Sequence, residues 1–141
     1  MKNYSDLQDI SRLIPISICL EPVGQPCVDL IINNNIVDYR SLNNSVTYTE
    51  FVDLLAPISI SIILSNKIYT QEYETAVIIK QLSVDNIDLI PDYDYLADYQ
   101  NDHNNTNPTS YLGFNGKWTL TIDRPFYQWL HQVQSQGWLL S

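Results

Sequence analysis

From Leu13 to Val84, apolar side chains recur at every second position in short runs. Ile14, Ile16 and Ile18 alternate with Pro15, Ser17 and Cys19, and Ile58, Ile60 and Ile62 alternate with Ser59, Ser61 and Ile63. Successive side chains of a strand point to opposite faces, so this period buries one face and wets the other; on a helix the same residues would spread around the axis. The breaks hold turn chemistry: Pro22, Gly24 and Pro26, then Asn33-Asn34-Asn35, then Asn43-Asn44-Ser45, then Pro57. Asn tolerates positive φ, and Pro cannot donate to a ladder. Strands are predicted from residue 13, then over 27–32, 36–39, 46–51, 58–64 and 75–82. The last is predicted as the longest, a central strand covered on both faces, because its apolar run is unbroken. Pro15 predicts an edge strand or a strand start. Short strands at this spacing predict an all-β fold, an antiparallel β-sandwich of the jelly-roll kind.

A chain of 141 residues suits one domain, and surface scaling has it bury roughly 68% of its unfolded surface. The predicted organisation is an N-terminal arm or short helix over 1–12 and a single sandwich domain over 13–141. Seven Lys and Arg against sixteen Asp and Glu give a formal charge of −9, which argues against nucleic acid as a partner. No apolar run approaches the ~20 residues of a membrane-spanning helix, so no membrane partner is predicted. Residues 1–6 lack the apolar stretch of a secretory signal, so the chain is expected to be made and kept in the cytosol unless lysis or assembly carries it out. Cys19 and Cys27 would face each other only if their strands formed a hairpin. Otherwise they are two buried thiols, and with His103 and His131 they show no zinc spacing.

The alternation stops over 84–116. Asp85, Asp88, Asp92, Asp94, Asp98 and Asp102 fall in this stretch, Tyr93, Tyr95, Tyr99 and Tyr111 punctuate it, and no Lys or Arg lies between Gln81 and Gly116. It is predicted as a long acidic insertion on the surface, because desolvating six aspartates is costly. Strand period returns with Trp118, Leu120 and Ile122 on one face. Phe126, Trp129, Leu130 and Val133 then fall at helical spacing, with Asp123 as cap, Pro125 in the first turn and Gly137 as the stop. An extended tail fits the same residues. Trp118, Trp129 and Trp138 are expected in the core.

Little in the chain suits catalysis. No nucleophile elbow and no glycine-rich phosphate loop is present. His103 lies in a polar loop and His131 among tail aromatics, as surface or packing residues. No catalytic residue is predicted. Calcium takes six to eight oxygen ligands, which either 66–74 or the aspartate cluster could supply, although no EF-hand spacing occurs; no other cofactor is predicted. Exposed aromatic rings serve both sugar faces and protein interfaces, so Tyr93, Tyr95, Tyr99 and Tyr111 are the predicted contact residues.

The element order is a strand at 27–32, an Asn turn, a short strand at 36–39, a Tyr/Thr/Val-rich strand at 46–51 and a strand at 58–64 ending in Asn66-Lys67. An acidic residue, Glu72 or Glu74, then precedes the Val/Ile strand at 75–84. In this order, residues 27–90 resemble the small calcium-dependent, xylan-binding type of carbohydrate-binding module. The resemblance implies a β-sandwich, a glycan ligand, and calcium held by Asn66 with Glu72 or Glu74. Lys67 stands where the family pattern has an Asp ligand, and a cation there opposes a calcium ion. The tail, 110–118 and on to Trp138, resembles tails of small phage-encoded proteins of unassigned role. Together with the missing export signal, it gives the main functional expectation: a non-enzymatic virion structural protein decorating a capsid, neck, tail or baseplate. Such a protein would reside in the virion as part of a multi-copy assembly. Its ends and its acidic Tyr loop would dock on other, more basic virion proteins. The alternative is a carbohydrate-binding module or adhesin that recognises a host-surface glycan.

Overall fold

The computed structural model describes residues 12–70, 72–90, 92–103 and 110–140, with only the backbone path over 136–140. The described strands are β1 (Leu13–Val23), β2 (Cys27–Ile32), β3 (Asn35–Ser41), β4 (Val46–Asp53), β5 (Ile58–Leu64), β6 (Ala76–Val84), β7 (Ile87–Asp88), β8 (Asp98–Asn101), β9 (Tyr111–Leu112) and β10 (Gly116–Ile122). A 3-10 turn spans Asp94–Leu96, and a helix, α1, spans Phe126–Leu140. One sheet runs β4-β1-β6, with β7 and β9 both paired to the far edge of β6; the other runs β3-β2-β5-β10-β8. All pairings are antiparallel. This is the predicted all-β sandwich.

The alternation places the core. Ile14, Ile16, Ile18 and Leu20 of β1 are buried, as are Val28, Leu30 and Ile32 of β2, Ile58, Ile60 and Ile62 of β5, and Trp118, Leu120 and Ile122 of β10. Strand β6 shows how strictly the pattern is kept. Between Cys19 and Leu20 the register shifts, with Cys19 opposite Gln81 and Leu20 opposite Ile79. Lys80 is therefore the extra residue of a bulge. Val77 and Ile79 point inward on one side of it, Leu82 and Val84 on the other, while Lys80 and Gln81 are both exposed. A bulge re-phases a strand by one residue; without it one apolar pair would face water.

Several expectations need correction. The longest strand is β1, with eleven residues, and it is interior. Pro15 is a strand-start proline: its carbonyl accepts the Asp85 N–H at 2.8 Å, and its missing donor falls where the β1–β6 ladder ends. The outer face of β6 is open to water at Lys80 and Gln81, so the strand is not covered on both faces along its whole length. Cys19 and Cys27 sit on strands of different sheets and are free thiols, so no hairpin brings them together. The described residues of the stretch 84–116, expected as a surface insertion, are built into both sheets. Asp85 and Asn86 form a tight turn at φ 50° and 65°, Leu89 and Leu112 are fully buried, and β7, β8 and β9 complete both sheets. Asp88, Asp92, Asp98 and Asp102 stay exposed while Leu89, Ile90, Tyr99 and Leu112 enter the core, which is how desolvation is avoided. Asn33 and Asn34 hold positive φ, as their sequence predicts.

The tail is a helix of fifteen residues that continues past Gly137; a glycine within a helix costs about 1 kcal/mol but does not end it. Phe126, Trp129, Leu130 and Val133 are buried, as their spacing predicts. Asp123 is no cap: its carboxylate takes the Arg124 guanidinium at 2.9 Å, while the Pro125 carbonyl accepts the Trp129 N–H at 3.0 Å. His131 is exposed, and of the predicted arm only Arg12 lies among the described residues. The Trp138 side chain lies outside them.

Candidate functional site

Val23 pairs with Ala76, Val28 with Leu64, and Gly116 with both Leu64 and Asn101. These pairings gather the connections 24–26, 65–75 and 113–115 and the end of β8 at one end of the sandwich. Side-chain amides hold them together. Asn66 accepts the Cys27 N–H through Oδ1 at 2.7 Å and donates through Nδ2 to the Gln25 carbonyl at 3.0 Å. Asn115 accepts the Lys67 N–H at 2.8 Å and donates back to the Lys67 carbonyl at 2.9 Å. The Tyr99 hydroxyl accepts the Phe114 N–H at 3.0 Å and donates to the Phe114 carbonyl. Gly24, at φ 71°, turns against the Glu74 carbonyl, where a Cβ would stand 2.5 Å away; only glycine takes this conformation without strain at such an approach.

On this frame stands a cluster of rings and charges. His103 stacks on Phe114 at 4.5 Å between centroids and lies 4.4 Å from Tyr69. The Tyr69 hydroxyl donates to Asp102 at 2.5 Å and accepts the Asn115 N–H at 3.0 Å. His103 Nδ1 lies 2.9 Å from the same Asp102 oxygen. The Lys67 ammonium bonds Glu74 and lies 5.7 Å from the Tyr69 ring and 5.8 Å from the Phe114 ring. Tyr69 is 42% exposed, Tyr73 68% and Tyr111 41%. Rings that are half in water, with hydroxyl, carboxylate, imidazole and ammonium groups beside them, can take an apolar face and orient it by hydrogen bonds.

Charge follows the contacts. The Asp102 carboxyl is held below its usual range, first by the Tyr69 hydroxyl and then by His103. Burial, and then the bond to Asp102, raises the Tyr69 phenol. The Glu74 carboxyl is lowered, chiefly by the Lys67 hydrogen bond. A carboxyl lowered by folding adds stability above its unfolded value, and that stability is lost as pH falls through the folded value. Glu74→Gln should therefore melt below wild type at pH 7. The gap should close as the pH is taken below about 4.3, the ordinary glutamate value. Thermal melts of both proteins from pH 7 to 3 check this; a gap that does not narrow at all over that range would show that the charge is irrelevant.

The predicted contact tyrosines separate. Tyr111 joins the cluster, hydrogen-bonded to Glu74. Tyr99 is only 7% exposed and pairs with Trp118 across β8–β10, so it positions Phe114 and offers no surface of its own. Tyr93 is half-buried, edge-on to Trp129 at 6.2 Å, and Tyr95 is 51% exposed on the 3-10 turn. Of the predicted calcium ligands, Asn66 spends its side chain on backbone groups and Glu74 on Lys67, while Glu72 is an exposed loop residue. No three His, Cys, Asp or Glu among the described residues could together hold a metal. The sequence pattern does not single out Tyr69, Phe114 or Asn115, and it places His103 in a polar loop. The one local signal is Ile68-Tyr69 and Tyr73, large apolar side chains in an otherwise polar connection.

No protein-family model matches the chain, and no curated protein does. Two solved structures do. One is the selenomethionine form of vCBM60, from work linking two families of calcium-dependent carbohydrate-binding modules by circular permutation. It superposes with a TM-score of 0.54 at 16% identity, over 79% of this chain and 91% of that one. The other is vCBM60 in complex with galactobiose, with a TM-score of 0.51 at 14% identity, over 77% of this chain and 97% of that one. At this identity the likeness concerns architecture: the chain has the β-sandwich fold of these carbohydrate-binding modules.

Proposed function

We propose that the protein is a non-catalytic carbohydrate-binding module, and that its sugar site is the ring cluster of Tyr69, His103, Phe114 and Tyr111. The observation that supports this reading is the cluster itself, half-exposed rings beside Asp102 and the Lys67–Glu74 pair, on a fold shared with proteins that bind carbohydrate. Sugar rings offer an apolar C–H face and a rim of hydroxyls, and the cluster offers aromatic faces and a polar rim. The carboxylates are engaged by a phenol, an imidazole and an ammonium, an arrangement that suits holding a ligand more than cleaving one. The virion docking expected from the tail has no observation in its favour, in the fold or in the likenesses. A glycan array, followed by calorimetry with galactobiose and with xylo-oligosaccharides, tests the reading. Tyr69→Ala should weaken any hit at least about tenfold, the equivalent of 1.4 kcal/mol, while its circular dichroism shows that the sandwich still forms. No glycan bound at millimolar concentration, or full binding by Tyr69→Ala, would remove the proposal.

A further inference from the structure

We infer that the side chains gathered at this end of the sandwich do not form a calcium site and that the Lys67 ammonium is its resident cation, so that this end keeps its shape, and takes an uncharged sugar, without calcium. The sugar clause rests on the function proposed above; the metal clause does not.

Three observations carry it. The Lys67 side chain is only 13% exposed, and its ammonium faces a carboxylate and two aromatic rings. That is a complete seat for a cation, combining charge pairing with the negative faces of the rings. The seat is also fixed at its base, because Asn115 grips both the N–H and the carbonyl of Lys67. The donor set, finally, does not fit calcium, which takes six to eight oxygens. The Asn66 oxygen already accepts the Cys27 N–H, and one Asp102 oxygen takes both Tyr69 and His103; no three His, Cys, Asp or Glu among the described residues converge to supply the rest of the shell. A divalent ion near Glu74 would meet the ammonium, and like charges in a partly desolvated site repel strongly. The chain thus supplies covalently the positive charge that ties Lys67 to Glu74 across the connection 65–75 and to the Phe114 ring beside it. The rest of the ammonium can donate to a sugar hydroxyl. With a chain charge of −9 and two carboxylates at the site, an uncharged sugar suits it better than an acidic one.

The test uses the full chain, stripped with EDTA and titrated with calcium chloride while its melting temperature is followed, with terbium luminescence as a second readout. A calcium site filled at a hundredfold excess over its Kd would raise the midpoint by about 5–10 °C. We expect a shift within about 1 °C and no saturable terbium signal. Lys67→Met should melt below wild type and exchange the amides of 65–75 faster, with or without calcium, while Lys67→Arg should stay near wild type. A calcium-dependent rise in the wild-type midpoint, saturable terbium binding, or a Lys67→Met protein as stable and as protected as wild type would each overturn the inference. So would glycan binding that vanishes in EDTA and returns with calcium. Absence of any glycan binding would fell the proposed function alone, leaving the thermal and terbium results to decide the metal clause.

Discussion

Trp118→Ala is expected to lower the unfolding free energy by about 3–5 kcal/mol, the usual cost of emptying a buried aromatic site. Trp118 is fully buried in β10, with Ile62 of β5 opposite on one side and Tyr99 of β8 on the other. The indole is therefore shared by three strands of one sheet and by the inner face of the other, and no single neighbour can move to fill the space. On a domain of this size the loss corresponds to roughly 10 °C or more in melting temperature. Thr121→Ala, on the outer face between the buried Leu120 and Ile122 and exposed, serves as the control and should change stability by no more than about 0.5 kcal/mol. Chemical denaturation of both variants checks the pair. A Trp118→Ala protein within 1 kcal/mol of wild type (the scale of an ordinary surface change) would mean that the core is not centred on this residue.

Gly116→Ala should be the most damaging single-methyl change, and its damage should fall on the site. A Cβ there would stand 2.2 Å from the Gln100 carbonyl oxygen and 2.6 Å from the Asn101 Cα. Both obstacles are backbone, so no rotamer change relieves the clash and β8 must separate from β10. Overpacking of this kind costs about 1–3 kcal/mol, occasionally more. The structural consequence reaches further than the energy. Phe114 and Asn115 immediately precede Gly116, and they anchor the ring stack and the Lys67 backbone. The variant should keep β1, β4 and β6, whose ladder is remote from Gly116. It should lose amide protection in 98–102 and 113–117, and any glycan binding with it. Hydrogen exchange resolves these regions; uniform protection with binding intact would show that the strand contact is looser than the geometry implies.

Strand period made most of the body legible. Nearly every inward position of β1, β2, β5 and β10 is a residue whose alternation is visible in the sequence, because water exclusion acts on side chains two apart and leaves that signature in the text. Asn33-Asn34 was legible for a different reason, since positive φ selects few residues. The bulge at Lys80 was hidden because its only trace is a doubled polar pair, Lys80-Gln81, which on its own looks like a frayed strand. The stretch 84–116 was misleading because its strands are two to four residues long, too short to show a period. Its aspartates also masked the buried Leu89, Tyr99 and Leu112.

The chain by itself determined that there would be a two-faced β body, because burial of alternating apolar side chains is a local pattern with a global outcome, while it left the aromatic tail open between a helix and an extended segment. The tertiary structure decided which residues meet at its end. Lys67, Tyr69, Glu74, Asp102, His103 and Phe114 come from loops that share no period, and their encounter depends on where Val23, Leu64, Asn101 and Gly116 place the strand ends. Such a site is written in distances between strands, and those exist only once the two sheets have closed.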